Sequence, residues 1–88
     1  MEFIGCQNMI KHFTVWTKDD CGYCVRAKQL ILMRGHQYEE KKVAPGFFDI
    51  KEMLEVLPTA RTFPQILLDG ELIGGYDELV KHFEKHRD

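Results

Sequence analysis

The stretch Thr17-Lys18-Asp19-Asp20-Cys21-Gly22-Tyr23-Cys24 decides the fold, because it joins an apolar, β-branched run to a helical pattern. Two thiols lie three residues apart at that junction. Cys21 stands at the expected N-terminus of a helix, where free backbone N–H groups and the helix dipole favour an anion. A thiolate is stabilised in such a place and is therefore reactive at neutral pH. The pattern predicts thiol–disulfide chemistry with Cys21 as the nucleophile.

Length and composition predict one small globular domain, with residues 1–11 as a lead-in of no clear period. Of the 88 residues, 44% are hydrophobic and 30% are charged, which is ordinary for a globular domain and argues against disorder. The net charge of −2 and the absence of a Lys/Arg run argue against nucleic acid as a partner. No apolar run in the sequence reaches the roughly 18–20 residues that span a bilayer, so no membrane association is expected.

Cysteine usage favours a reducing compartment. The count of three is odd and low, unlike a secreted disulfide framework. The opening residues carry an acid where a signal peptide has bases, and a cytoplasmic protein is therefore expected. In such a compartment a close Cys pair is typical of catalysis or metal binding. Cys6 has no evident partner and is interpreted as an idle or partly buried thiol, with a regulatory or mixed-disulfide role as the alternative.

The patterns around the Cys pair predict a β-α-β unit. Residues 12–17 are aromatic and β-branched with bulk on both faces, as in a central strand. Residues 22–34 show helical periodicity, with Lys28 facing outward, and residues 37–43 form a charged strand suited to a sheet edge. The expected buried stripe of this helix consists of Cys24, Ala27, Leu30 and Ile31.

The second half predicts a helix, a hairpin and a last helix. Residues 47–57 form an amphipathic helix closed by Pro58. Residues 65–68 and 71–73 are short strands, and Asp69-Gly70 between them is a strong hairpin signal. Residues 76–87 form the last helix. Residues expected in the core are Phe47, Ile50, Met53, Leu54 and Leu57 in the first of these helices and Leu79, Val80 and Phe83 in the second.

The resulting order, β-α-β-α-β-β-α, predicts an α/β fold with a four-stranded mixed sheet flanked by helices. A right-handed crossover makes the first two strands parallel, and the hairpin adds antiparallel strands. The four histidines are interpreted as structural or solvated. They are His12, His36, His82 and His86.

Three separated motifs resemble those of a dithiol glutaredoxin, a small protein with the thioredoxin-like fold. They are the segment from Trp16 to Cys24, the Arg61-Thr62-Phe63-Pro64-Gln65-Ile66 segment, and the Ile73-Gly74-Gly75-Tyr76-Asp77-Glu78-Leu79 segment. Their order and spacing match over residues 12–88, so the whole chain is interpreted as a single domain. The size and the Gly-Gly-Tyr-Asp sequence are also similar to the small glutaredoxins of bacteriophages.

Two positions depart from the pattern of the family. Gly22 stands where the family usually has Pro, and Phe63 stands where it usually has Val. Gly22 adds backbone freedom beside the nucleophile. In the family, a small residue at that position sometimes accompanies a shared iron–sulfur cluster.

The resemblance implies a glutathione-dependent oxidoreductase that acts on protein disulfides and glutathione mixed disulfides. Cys24 would resolve the mixed disulfide at Cys21. Glutathione would be the co-substrate, with no permanently bound cofactor. The expected partners are disulfide-containing proteins, among them ribonucleotide reductase, and the chain is expected to act as a monomer.

The resemblance also implies which residues bind glutathione. An extended peptide can pair with the backbone beside Phe63, where the family has a cis X–Pro bond. Lys18 and Arg61 would meet the glycine carboxylate, and the start of the last helix would hold the γ-glutamyl end, with Asp77 or Glu78 at its ammonium. The full expected set is Lys18, Tyr23, Arg61, Thr62, Phe63, Pro64, Gly75, Tyr76, Asp77 and Glu78.

Three other functions remain open at this point. In one, Cys21 of two chains and two glutathiones ligate a [2Fe–2S] cluster. In another, a zinc site uses the Cys pair with Cys6 or a histidine, although the sequence lacks the second close pair usual in such sites. In the third, a thioredoxin-like protein is reduced by a flavoprotein reductase. No metal ligands are therefore assigned.

Overall fold

A computed structural model of the protein describes residues 12–85 and confirms the expected order of strands and helices. Cys6 and His86 lie outside the described residues. Among residues 12–85, no helix is both long and apolar enough to cross a membrane. The elements are β1 (His12–Lys18), α1 (Gly22–Met33), β2 (Gln37–Val43), α2 (Ile50–Val56), β3 (Gln65–Leu68), β4 (Glu71–Gly74) and α3 (Tyr76–Lys85).

The four strands form one mixed sheet in the order β2-β1-β3-β4. β1 pairs in parallel with β2 and antiparallel with β3, so that Val15 lies between Glu40 and Ile66. β3 pairs antiparallel with β4. The predictions that β1 is central and that the charged β2 is an edge are confirmed.

Alternation along β1 divides the core into two layers. Phe13 and Val15 are fully buried against α1 and α3 on one face of the sheet. Trp16 is buried on the opposite face, where α2 packs. The first layer contains Phe13, Val15, Ala27, Ile31, Ile66, Leu79 and Phe83, and the second contains Trp16, Met53, Leu57 and Leu67.

The predicted start of α2 at Phe47 is wrong, because the helix begins at Ile50. Phe48 is held as an isolated bridge beside the end of β2 instead. Asp49 then ends this extended segment, and its backbone N–H donates to a Glu52 carboxylate oxygen at 2.8 Å. That hydrogen bond satisfies one of the free N–H groups at a helix start and fixes the later beginning.

The later start of α2 also changes which of its residues are buried. Met53 and Leu57 are in the core as predicted, whereas Phe47, Ile50 and Leu54 are 67%, 45% and 37% exposed. A helix of only seven residues has room for one short buried stripe. Helical periodicity therefore overestimated the apolar contact made by this segment.

The remaining helix and hairpin signals are close to the observed boundaries. α1 ends at Met33, one residue before the predicted end, and Gly35 has the positive φ of 81° typical of a residue just beyond a helix. Asp69 and Gly70 both have positive φ, as a two-residue hairpin turn requires. In α3, Leu79 is fully buried, whereas Val80 is only half-buried.

Candidate functional site

Cys21 and Cys24 form a disulfide at the first turn of α1. Cys21 is the N-cap residue of the helix, and its sulfur accepts a hydrogen bond from the Cys24 backbone N–H at 3.2 Å. Cys21 is half-buried, whereas only 2% of Cys24 is exposed. An incoming thiolate can therefore approach Cys21 more readily than Cys24, which leaves Cys24 as the internal partner.

A cavity of about 250 Å³ opens on one side of this helix start. Three separate segments supply its walls, namely the first turn of α1, the loop before β3 and the turn between β4 and α3. All eight lining residues belong to the set that the sequence predicted for glutathione. They are Tyr23, Thr62, Phe63, Pro64, Gly75, Tyr76, Asp77 and Glu78.

The loop before β3 is shaped by a cis peptide bond between Phe63 and Pro64. Gln65, which is 8% exposed, donates from its Nε2 to the Thr62 carbonyl oxygen at 2.8 Å. This hydrogen bond holds the backbone of the loop at the cavity wall. Sequence reasoning missed Gln65 as a positioning residue, although an amide at the start of an apolar strand was the available signal.

Glu78, in the first turn of α3, caps the start of its own helix. Its Oε1 accepts a hydrogen bond from the Gly75 backbone N–H at 2.9 Å. Gly74 has a φ of 130°, and a Cβ there would lie 2.8 Å from the Cγ of Glu78. A glycine at position 74 is therefore required for this cap, and the Glu78 carboxylate is already engaged in it.

Two tyrosine rings line the cavity, and two cations lie over aromatic rings of its wall. The rings of Tyr23 and Tyr76 lie 5.7 Å apart, which joins the α1 and α3 walls. Lys18 places its ammonium 5.6 Å from the centre of the Phe63 ring, so it lies near the cavity without lining it. Arg61 is exposed and does not line the cavity either. Arg26 stacks over the ring of Tyr23 at 5.4 Å.

A second cavity, of about 400 Å³, lies on the other side of the Cys pair and is lined by charged residues. At its base the buried Thr17 hydroxyl donates to a Glu40 carboxylate oxygen at 2.6 Å. Lys28 donates to both oxygens of that carboxylate at 3.2 Å. The prediction that Lys28 simply faces outward is therefore wrong, because β2 supplies a carboxylate beside it.

Contacts around this second cavity shift the pKa values of two side chains, Glu40 and Lys42. The Thr17 hydrogen bond, followed by the hydrogen bond and charge of Lys28, holds the pKa of Glu40 below its ordinary value of 4.5 against the opposing effect of burial. The Asp19 carboxylate, 2.6 Å from the Lys42 ammonium, raises the pKa of Lys42 above 10.5. Both residues therefore carry full charge at neutral pH.

The histidines divide between surface and core. His12 is exposed beside Glu39 at 3.8 Å. His36 is 4% exposed and stacks on the Phe83 ring, with 5.8 Å between ring centres. Within residues 12–85, no cluster of three or more His, Cys, Asp or Glu side chains has the arrangement to hold a metal ion. These positions agree with structural or solvated roles for both histidines.

Comparison with known proteins gives one consistent family. The glutaredoxin family model matches residues 13–73. Glutaredoxin 3 of Escherichia coli is 35% identical over 65 residues, covering 74% of this chain and 77% of that protein. The glutaredoxin of Enterobacteria phage T4 is 32% identical over 74 residues, covering 73% of this chain and 85% of that protein.

Two further comparisons concern a longer protein and a solved complex. The hybrid peroxiredoxin hyPrx5 of Haemophilus influenzae is 29% identical over 84 residues, and the match covers 94% of this chain but only 34% of that protein. The crystal structure of a buckwheat glutaredoxin–glutathione complex aligns with a TM-score of 0.69 at 26% identity, covering 93% of this chain and 78% of that one. The fold predicted from the sequence is therefore confirmed.

The Thr17–Glu40 hydrogen bond predicts a specific shift in titration. Replacing Thr17 by Val keeps the shape but removes the donor, so the pKa of Glu40 should rise towards its ordinary 4.5. Since a lowered folded-state pKa adds stability above the unfolded-state pKa, that stability is lost as the pH falls through the folded-state value. Carboxyl ¹³C NMR titration measures the shift, and Thr14→Val on the same strand serves as the control. An unchanged Glu40 pKa in Thr17→Val would contradict the assigned cause.

Proposed function

Since the chain belongs to the glutaredoxin family, we propose that it reduces protein disulfides and glutathione mixed disulfides with glutathione as the reductant. Membership in the family makes the protein a thiol–disulfide oxidoreductase, and the Cys21–Cys24 disulfide is the pair that such chemistry needs. The observation that carries glutathione dependence is the cavity beside this disulfide. It is lined by residues of all three motifs, among them Tyr23, which lies between the two cysteines in the chain.

Reduction of a protein disulfide would proceed in two exchanges. The Cys21 thiolate attacks one sulfur of the substrate, a new S–S bond forms, and the other substrate sulfur leaves as a thiolate. Cys24 then attacks Cys21, releases the second substrate thiol and closes the Cys21–Cys24 disulfide. The substrate gains two electrons and two protons, which the protein dithiol loses.

Glutathione would return the oxidised pair to the dithiol. A first glutathione thiolate attacks Cys21, and Cys24 leaves as a thiolate that takes up a proton. A second glutathione thiolate then attacks the sulfur of the bound glutathione, which releases oxidised glutathione and the Cys21 thiolate. The half-buried position of Cys21 supports its being the sulfur that is attacked.

The residues that line the cavity support the proposal that glutathione binds there as an extended tripeptide. Phe63 and Pro64 line this cavity, and the backbone beside Phe63 would offer the pairing that an extended peptide uses. The first backbone N–H groups of α3 would take the γ-glutamyl carboxylate, as helix starts do for anions. Lys18, and Arg61 farther along the same loop, would meet the glycine carboxylate from the surface.

Of the two acids at the start of α3, Asp77 is the better partner for the ammonium of glutathione. Glu78 already accepts the Gly75 N–H, so recruiting its carboxylate would break a helix cap. Asp77 is exposed and lines the same cavity. The choice left open by the sequence is therefore made in favour of Asp77.

The cellular setting follows from the same chemistry. A dithiol that is regenerated by glutathione works in a reducing compartment, so we place the protein in the cytoplasm. Its macromolecular partners would be disulfide-containing proteins, with ribonucleotide reductase as the one that the family suggests. The catalytic cycle needs a single chain, so a monomer is sufficient.

A second candidate is the ligation of a [2Fe–2S] cluster by Cys21 of two chains and two glutathiones. It draws on Gly22, which is exposed and where an added Cβ would meet no atom within 4 Å. This open space beside Cys21 would admit a second chain. The reductase cycle is preferred because Cys24 is bonded to Cys21 and so competes for the same sulfur.

Replacing each cysteine separately tests the proposed roles. Cys21→Ser should lower turnover on a glutathione mixed disulfide by at least about 100-fold, because serine is a much poorer nucleophile at neutral pH. Cys24→Ser should retain that activity while losing the reduction of ordinary protein disulfides. A coupled assay with glutathione, glutathione reductase and NADPH measures both. Full turnover by Cys21→Ser would overturn the assignment.

Replacing Asp77 and Glu78 tests how glutathione is bound. Asp77→Asn should raise the KM for glutathione about tenfold, as expected when one charge-assisted hydrogen bond is lost. Glu78→Gln weakens the cap and should mainly lower the melting temperature, measured by circular dichroism. A larger KM effect in Glu78→Gln than in Asp77→Asn would reverse the assignment of the two acids.

A further inference from the structure

The charged cavity on the far side of the Cys pair contains an ion pair that the proposed glutathione groove does not use. Lys28 and Glu40 line this cavity together with Cys21 and Cys24. Cys24 and Lys28 are four residues apart on α1, which places them on one face of the helix with Cβ atoms about 5–6 Å apart. The Lys28 ammonium therefore lies on the side of the helix where the buried sulfur is held.

Glu40 fixes the direction of the Lys28 side chain. Both carboxylate oxygens accept from the Lys28 ammonium at 3.2 Å, and the carboxylate is in turn held by the Thr17 hydroxyl at 2.6 Å. Thr17 is 1% exposed and belongs to the central strand, so its hydroxyl holds the Glu40 carboxylate from a buried position. The Lys28 side chain is 23% exposed, so water screens its charge in part.

We propose that Lys28, positioned by Glu40 and Thr17, stabilises the negative charge that develops on the Cys24 sulfur when the Cys21–Cys24 disulfide is cleaved. A reductant thiolate attacks the Cys21 sulfur, forms a bond to it and breaks the bond between the two cysteines. The electron pair of the broken bond goes to Cys24, which leaves as a thiolate and then takes a proton from water. The disulfide is reduced and the attacking sulfur is oxidised.

The need for such a charge follows from the burial of Cys24. Only 2% of this residue is exposed, so water stabilises a charge on its sulfur poorly. A nearby ammonium compensates for lost hydration and makes Cys24 a better leaving group. Glu40 has the opposite charge, so it orients Lys28 and at the same time moderates its effect.

Of the three lysines that line this cavity, Lys28 is the one that α1 supplies. Lys42 is paired with Asp19 at 2.6 Å, and Lys18 lies over the Phe63 ring. Asp20 is the remaining acid of the β1–α1 loop that lines the cavity. These groups belong to the neighbouring strand ends and loop, whereas Lys28 shares a helix face with Cys24.

Charge-neutral variants of the pair have effects of opposite sign under this proposal. Lys28→Gln should slow reduction of the Cys21–Cys24 disulfide about fivefold, as expected for a single charge near a sulfur in a medium of intermediate dielectric constant. Glu40→Gln keeps an oxygen that accepts from Lys28 and holds it in place, but it removes the opposing charge, so it should accelerate reduction about threefold. The double variant should lie within about twofold of the parent. A merely structural pair would shift both single variants in the same direction.

The measurement uses the full chain in its disulfide form and dithiothreitol as the reductant. The reaction is quenched with acid at timed intervals, free thiols are alkylated, and mass spectrometry gives the reduced fraction. Lys51→Gln and Glu55→Gln, two exposed positions on α2, change the net charge equally and should leave the rate unchanged. If Lys28→Gln fails to fold, Lys28→Arg takes its place. That variant retains the charge and should keep most of the parental rate.

A Cys24→Ser background locates the effect on one sulfur. There, Cys21 is first joined to glutathione, and dithiothreitol cleaves that mixed disulfide without Cys24 as a leaving group. The fivefold effect of Lys28→Gln should fall below about twofold. An undiminished effect would show that Lys28 acts on Cys21 or on the incoming thiolate, and would overturn the proposal.

The inference rests on the disulfide cycle of the proposed function, but its test does not depend on glutathione binding. If the parent is reduced by dithiothreitol and not by glutathione, the proposed function fails while the charge effect can still be observed. If both single variants keep the parental rate, or shift it in the same direction, the inference fails and glutathione dependence is unaffected.

Discussion

The position of Cys21 at the junction of a central strand and a helix is the constraint on which the rest of the site depends. β1 pairs with β3 from Phe13 to Trp16 and with β2 over its whole length, so its carboxyl end remains paired up to Lys18. Three residues separate the end of β1 from the start of α1, whose N-cap and first turn hold the two sulfurs. The reactive pair thus lies directly after the central strand, while Cys21 stays half-buried and accessible.

Two unlike surfaces meet at this pair. On one side, Tyr23, the Phe63–Pro64 loop and the start of α3 line the cavity of about 250 Å³ in which we propose that glutathione binds. On the other side, Lys28 and Glu40 form an ion pair anchored on Thr17. The first surface would select the partner that delivers or receives electrons, and the second would govern how readily the internal disulfide opens.

Much of this arrangement could be predicted from the sequence, because its signals are local. The β-branched run before Cys21, the Asp69-Gly70 turn and the acids after Gly75 each indicated their structure correctly. The ten residues expected to bind glutathione were predicted from the resemblance to the family, and eight of them line one cavity. Lys18 and Arg61, the two long cations of the set, lie at its margin or beyond it.

What the sequence did not predict depends on contacts between distant segments. Lys28 looked solvated because helical periodicity cannot reveal that Glu40, on the neighbouring strand, lies beside it at 3.2 Å. The start of α2 was misplaced because Phe48 bridges to Val43 in preference to joining the helix. The cap formed by Glu78 required the conformation of Gly74, which no local pattern specifies.

The most direct test of the central claim compares two sources of electrons for the Cys21–Cys24 disulfide. NADPH oxidation is followed with glutathione and glutathione reductase in one assay, and with thioredoxin reductase in the other, at equal concentrations of the protein. Rapid turnover with glutathione and little with thioredoxin reductase is the result predicted by a groove addressed to glutathione. Rapid turnover with thioredoxin reductase and none with glutathione would contradict it.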